Sequence, residues 1–157
     1  PGKFWHFSIE DFNLGEFDLP NIDMVYSFGV IHHTTNPSKA LKSIVNQVDP
    51  GTEFKIMLYA RNSFKAALIS YGLDQPEAQD NCPIAFTYTR KEAEQLLLES
   101  GLKSISITQD HIFQFKIDAY KRYEYVKEDW FMAMPQNYID AMRKELGWHL
   151  LIHAVKL

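Results

Sequence analysis

A single cysteine, Cys82, stands among the 157 residues, so no intrachain disulfide can form. Neither a cysteine-based zinc site nor a CxxC redox pair exists, an economy that suits a reducing compartment. An excess of positive charge is also missing: 16 Lys and Arg face 20 Asp and Glu, a formal charge of −4. Nucleic-acid binding needs a clustered basic face. The longest basic grouping, Lys121-Arg122 near Lys127, is broken by Glu124, Glu128 and Asp129. No apolar run approaches the roughly 20 residues needed to span a bilayer. The opening Pro1-Gly2-Lys3-Phe4-Trp5-His6 has no signal-peptide pattern. These absences lead us to expect a cytoplasmic protein with neither nucleic acid nor membrane as partner. An initiator methionine is lacking too, and residues 3–7 read like the inside of a domain. The expectation is a single domain over 1–157, truncated at its N-terminus.

What is present is ordinary for a globular chain: 46% hydrophobic and 23% charged residues, enough to bury a genuine core. The most ordered stretch runs from 23 to 60. Residues 24–31 form an apolar run of strand length with little alternation, which suits a strand covered on both faces. Asn36 then offers an N-cap and Pro37 occupies the first helical position, where a missing N–H costs nothing. Ala40, Leu41, Ile44, Val45 and Val48 follow at helical spacing until Asp49-Pro50-Gly51 turns the chain. Residues 54–60 make a second strand. Such a βαβ unit has parallel strands and a right-handed crossover. Residues 28–34 and 59–64 then share the carboxyl-end rim of the sheet, where open α/β sheets bind ligands.

Further on, 63–72 predicts a short helix with Phe64, Ala67, Leu68 and Tyr71 on one face and Gly72 as its stop. Residues 73–88 are polar and contain Pro76 and Pro83, so a loop is expected. Thr89 and Glu92 make a capping box ahead of a helix carrying Ala93, Leu96 and Leu97. Ile105, Ile107, Ile112, Phe113 and Phe115 mark one or two strands around a break at Gln109-Asp110. A helix over roughly 136–146 has Ile139, Met142 and Leu146 on its inner face, and 148–155 reads as a final strand. Tyr120, Tyr123, Tyr125, Trp130, Phe131, Met132 and Met134 form an aromatic and methionine cluster, the composition of core or a lid edge.

Five of these blocks, in this order, resemble the class I S-adenosylmethionine-dependent methyltransferases, in particular their small-molecule branch. Residues 17–34, with Phe17-Asp18, Val25, Ser27 and Val30-Ile31-His32-His33, resemble the family's fourth strand. Residues 41–51 resemble the following helix and its Pro-Gly turn, 53–62 the fifth strand, 87–101 a later helix, and 147–156 the last, antiparallel strand. The resemblance implies a Rossmann-like α/β sheet of order 3-2-1-4-5-7-6. This chain would supply strands three to seven without the first two. Missing with them are the family's glycine-rich turn and the acidic residue that holds the ribose hydroxyls. The third strand would lie in 3–12.

The activity implied is methyl transfer from S-adenosylmethionine to a small-molecule acceptor, impaired or absent in this piece alone. The alternative is a non-catalytic, degenerate module of the same fold that completes an oligomer or binds a partner, with a homodimer compensating for the missing strands. By resemblance Ser8, Ile9 and Glu10 lie near the adenine, with Ser8 where an Asp is usual. Phe28, Gly29 and Val30 face the methionine and sulfonium part, Gly29 permitting close backbone approach. His32 and His33 lie beside the transferable methyl, where an imidazole titrating near neutrality can take a proton from an acceptor. In an extended segment the two would point to opposite sides and share no metal, so no metal is expected; packing under the cofactor or capping the helix is the plain alternative. Tyr59, Arg61 and Asn62 line the acceptor pocket, Arg61 binding a carboxylate or phosphate or else making a surface salt bridge. Residues 61–88 would form a lid insertion. His6, His111, His149 and His153 receive no role.

Overall fold

The computed structural model describes residues 6, 8–11, 13–16, 21–75 and 85–157. The apolar run after Asp23 forms β1 (Met24–Phe28) and leads through α1 (Pro37–Val45) into β2 (Glu53–Ala60). β1 and β2 are parallel, with Met24 opposite Glu53 and Phe28 opposite Met57. The cap at Asn36 forms as its residue type dictates: its side chain accepts from the Lys39 N–H, and Pro37 opens the helix. Asn36→Ala should therefore cost about 1 kcal/mol in a urea titration. An unchanged midpoint would mean that the neighbouring Glu10 carboxylate caps the helix by itself.

The remaining elements are α2 (Phe64–Ser70), β3 (Thr87–Tyr88), α3 (Arg90–Glu99), β4 (Leu102–Asp110), α4 (Ile117–Tyr120), α5 (Asp129–Ala133), α6 (Gln136–Leu146) and β5 (His149–Lys156). β5 lies antiparallel between β2 and β4, giving the order β1-β2-β5-β4, while the two-residue β3 pairs with the end of β2. The architecture is a mixed α/β sheet. The strand expected over 3–12 falls largely outside the described residues; Ile9–Asp11, which is described, forms a 3-10 turn.

Alternation along β2 divides the core. Phe54, Ile56, Leu58 and Ala60 point to the face covered by α1 and α3, where Leu41, Val45, Ala93 and Leu97 meet Leu150, Ile152 and Ala154. Phe54 is fully buried there, and burying a side chain of that size stabilises by about 1.5–3 kcal/mol. The opposite face carries Met57 and Tyr59, which pack with Trp148, Ala66 and Ile69. Farther along this face, Met24 and Tyr26 remain exposed on β1.

Several local expectations need correction. The helix at 64–70 buries Lys65, while Tyr71 is 82% exposed and Ala67 also faces solvent. Tyr71 lies past the helix end, where Gly72 in the left-handed region (φ 71°) closes a Schellman turn, with Leu73 N–H on Leu68 O and Gly72 N–H on Ile69 O. Ile112, Phe113 and Phe115 make no strand; β4 ends at Asp110, and only a single bridge, Phe115 to Lys127, follows. Leu146 is exposed on α6, whereas Ile139 is buried. Most consequential, His32 and His33 are not extended: Ile31–His33 is a 3-10 turn, which brings their rings to 4.2 Å.

Candidate active site

Strand register builds the carboxyl-end rim. Tyr59 of β2 pairs with His149, and His149 pairs with Asp110 at the end of β4. Because β5 runs antiparallel to both neighbours, the ends of β1, β2 and β4 and the start of β5 lie on one side. Phe28, Tyr59, Asp110 and His149 thus come together from four strands.

Gly29 follows β1 in the left-handed region, φ 72°. A Cβ there would meet only the Met57 Cε, at 4.0 Å. Backbone conformation, rather than crowding by protein atoms, accordingly requires the glycine. Phe28 and Val30 beside it are 47% and 43% exposed.

Beyond them His32 is 0% exposed and neither ring nitrogen meets a partner in good hydrogen-bond geometry. Its ring lies 4.0 Å from that of Tyr59. Burial drives its pKa down to about 3, helped by the neighbouring His33 and opposed only slightly by the Met57 backbone. His32 is a neutral, packed ring. His33 is only half-buried, and its ring meets Tyr59 edge-on at 5.5 Å.

The other residues singled out in the sequence are placed as follows. Ser8 is exposed; the Ile9 carbonyl accepts from the Ser43 hydroxyl. Glu10 accepts from the Thr35 hydroxyl at 2.6 Å and the Asn36 N–H at 3.0 Å, and these bonds lower its pKa. One oxygen of its carboxylate, Oε1, is engaged at the start of α1. Tyr59 is buried at 7% exposure, stacked on Trp148 at 4.4 Å. Arg61 donates to Glu92 at 2.6 Å and to the Thr87 carbonyl at 2.7 Å, making the salt bridge that was its plain alternative. The Asn62 carbonyl accepts from Gln109, and the residue lines a cavity of about 700 Å³ with Arg61, Ser63 and Trp148.

Two histidines without a sequence role enter the rim. His111 stacks on His149 at 4.4 Å and 11°, and His149 continues to Tyr59 at 6.0 Å and 15°. Burial pushes His149 down to about 4 and lowers His111 as well. His111 has φ 72°, a left-handed conformation that costs a side-chain-bearing residue roughly 1–2 kcal/mol. Nothing local in the sequence could have joined them, since strand pairing across 38 positions creates the contact. Among the described residues, no group of three or more His, Cys, Asp or Glu is arranged to hold a metal, and no helix is long and apolar enough to cross a membrane.

No known family profile matches the sequence, and no curated protein matches it at a significant level. Solved structures do match. A complex of a Haloferax volcanii methyltransferase with its activator Trm112 superposes with TM-score 0.58 at 15% identity, over 96% of this chain and 59% of that one. A SAM-dependent methyltransferase from Thermotoga maritima gives 0.56 at 14% identity, over 96% and 62%. The Burkholderia thailandensis 1,6-didemethyltoxoflavin-N1-methyltransferase, solved with S-adenosylhomocysteine, gives 0.50 at 14%, over 94% and 48%. The chain has the class I methyltransferase fold. It spans about three-fifths of the length of the first two of these structures.

A methyltransferase fold calls for S-adenosylmethionine, and the rim can be tested for it. Exposed, apolar Phe28 and Val30 on either side of an uncrowded Gly29 leave room at this rim for the methyl-bearing sulfonium end of that molecule. Glu10 holds Thr35 and Asn36 through a single carboxylate oxygen, Oε1.

Proposed function

We propose that the chain is the acceptor-side part of an enzyme that transfers a methyl group from S-adenosylmethionine to a small molecule. The observation that carries this reading is the meeting of Phe28, Gly29, Val30 and His33 on the carboxyl-end rim of a methyltransferase sheet. Bound there, the cofactor would supply a methyl carbon already activated by positive sulfur. The protein's own work is then to align the acceptor and exclude water.

His33 is the residue assigned to receive the acceptor's proton, since His32 is sealed from solvent and held neutral by burial. His32 and Tyr59 act as positioning residues by backing the His33 ring. Arg61 serves the acceptor side by holding Thr87 and Glu92, and hence the cavity edge along which Asn62 lies. Of the lid assigned to 61–88, Ala66, Ile69, Ala85 and Thr87 line that cavity, while 76–84 lie outside the described residues. Ser8, Ile9 and Glu10 remain assigned to the adenine side.

Calorimetric titration with S-adenosylhomocysteine tests the cofactor half. Saturable one-to-one binding supports the reading; a folded sample that binds none withdraws it. In a preparation that turns over, His33→Gln should lower kcat about a hundredfold while leaving S-adenosylhomocysteine affinity unchanged. Unaltered kcat would remove His33 as the base.

A second reading, a non-catalytic module that pairs with another copy or a partner, is favoured by one feature. Met24, Tyr26 and Phe28 are 55%, 68% and 47% exposed along one face of β1, and no strand among the described residues pairs with its outer edge. Sedimentation of a stable dimer that binds no S-adenosylhomocysteine would favour it.

A further inference from the structure

We propose that the cavity between the end of β1 and α6 receives the methyl acceptor, and that this acceptor is a phenol whose hydroxyl hydrogen-bonds to the stacked His111–His149 pair. The proposal rests on the methyl-transfer reading and, within it, seats the acceptor's ring here in place of the cavity beside Arg61 and Asn62, with the pair in place of His33 at its hydroxyl.

The cavity encloses about 460 Å³, the scale of a site for one small molecule. Phe28 is part of its wall, so it adjoins the rim segment assigned to the cofactor. Phe28 also stands edge-on to His149, with ring centroids 5.5 Å apart. Phe131, Ile139 and Leu151 supply further apolar surface. Aromatic rings on two sides favour a flat π system as occupant.

The two imidazoles decide the polar chemistry. At 4.4 Å and nearly parallel, they cannot both carry a positive charge cheaply, and burial already disfavours the charged form of each. Asp110 beside them favours protonation, while Lys65 opposes it. Each neutral ring keeps one nitrogen lone pair that can accept a hydrogen bond from a hydroxyl. Lys127 and Arg143 also line the cavity, against Asp110 as the one lining carboxylate among the described residues. Arg143 lies 3.6 Å from both Asp110 and Asp140 and is half-exposed. That balance disfavours a cationic amine and favours a neutral hydroxyl donor.

The backbone fixes the pair in place. The His111 N–H donates to the Asp110 carboxylate and the His111 carbonyl accepts from the Trp148 N–H, both at 2.7 Å. Gly147 packs so closely that an added Cβ would lie 2.2 Å from the Asp110 carbonyl. These contacts hold His111 in its left-handed conformation and direct its ring onto His149. A strained residue locked into a cavity wall is a recurring mark of binding sites.

The test uses 4-nitrophenol, with nitrobenzene as the same ring without the hydroxyl, followed by histidine-ring NMR signals during titration. We expect saturable 4-nitrophenol binding that shifts the His111 and His149 signals, about tenfold tighter than nitrobenzene. His149→Phe keeps a ring in the stack and should erase that tenfold preference. His111→Asn, whose side chain tolerates the left-handed region, provides a second variant should the first fail to fold. Equal affinity for the two probes, or binding that leaves both histidine signals unmoved, overturns the proposal. S-adenosylhomocysteine titrated into the same sample separates the two readings. Cofactor binding without 4-nitrophenol binding sinks the phenol site alone. The converse leaves the phenol site standing and sinks methyl transfer.

Discussion

Lys65→Met is expected to destabilise the fold by about 3–5 kcal/mol in urea denaturation. The ammonium lies 3.1 and 3.2 Å from the two Asp74 oxygens, and both side chains are only 6% exposed. It also sits 4.3 Å from the centre of the Phe113 ring, adding a cation–π attraction. Removing the cation strands a buried carboxylate, whose lost compensation dominates the cost. The Lys65→Met, Asp74→Leu double variant removes both charges and should recover most of the loss, because a buried ion pair gains little over apolar residues of similar volume. A single variant that costs under about 1 kcal/mol would mean that water reaches the pair.

Stability should also fall steeply in mild acid. His32 is held near a pKa of about 3 and His149 near about 4, both far below the ordinary imidazole value of about 6.5. Between those limits the unfolded chain binds protons that the folded chain refuses, so unfolding gains free energy as pH drops. The contribution is fully present above about pH 6.5 and is lost as pH falls through the folded values. At about pH 4.5 the two rings together should cost on the order of 5 kcal/mol, comparable with the whole stability of a small domain. His32→Leu should flatten this acid limb by nearly half, since one of the two titrations disappears and no unpaired ring nitrogen remains buried. Equal urea midpoints at neutral pH and at about pH 4.5 would show that both rings are protonated in the folded state.

The acid prediction rests on a feature the sequence describes poorly. His32-His33 follows a strand, and an extended continuation would have set the rings on opposite sides. A 3-10 turn instead brings them together and buries one of them. Arg61 shows a related limit. Its position at the end of β2 was legible, but its engagement depends on Glu92, 31 residues away, which α3 carries to the same edge. Helical spacing makes Phe64, Ala67, Leu68 and Tyr71 the natural inner face of α2, which leaves Lys65 off it. The ion pair with Asp74 and the rings of Phe113 and Trp148 let a lysine be buried instead.

Local sequence determined what depends on neighbours in the chain. The Asn36-Pro37 cap, the Thr89–Glu92 capping box, the Gly72 stop and the β1–α1–β2 unit all follow from backbone needs met within a few residues. Helical spacing likewise located the buried positions of α1 and α3, whereas β1, read as a strand covered on both faces, leaves Met24, Tyr26 and Phe28 exposed. Tertiary structure decided the site's chemistry. Strand register stacks His111 on His149, packing strips His32 of solvent, and the distant Glu92 carboxylate occupies Arg61. Those outcomes depend on desolvation and on contacts between remote segments, which exist only once the sheet has formed.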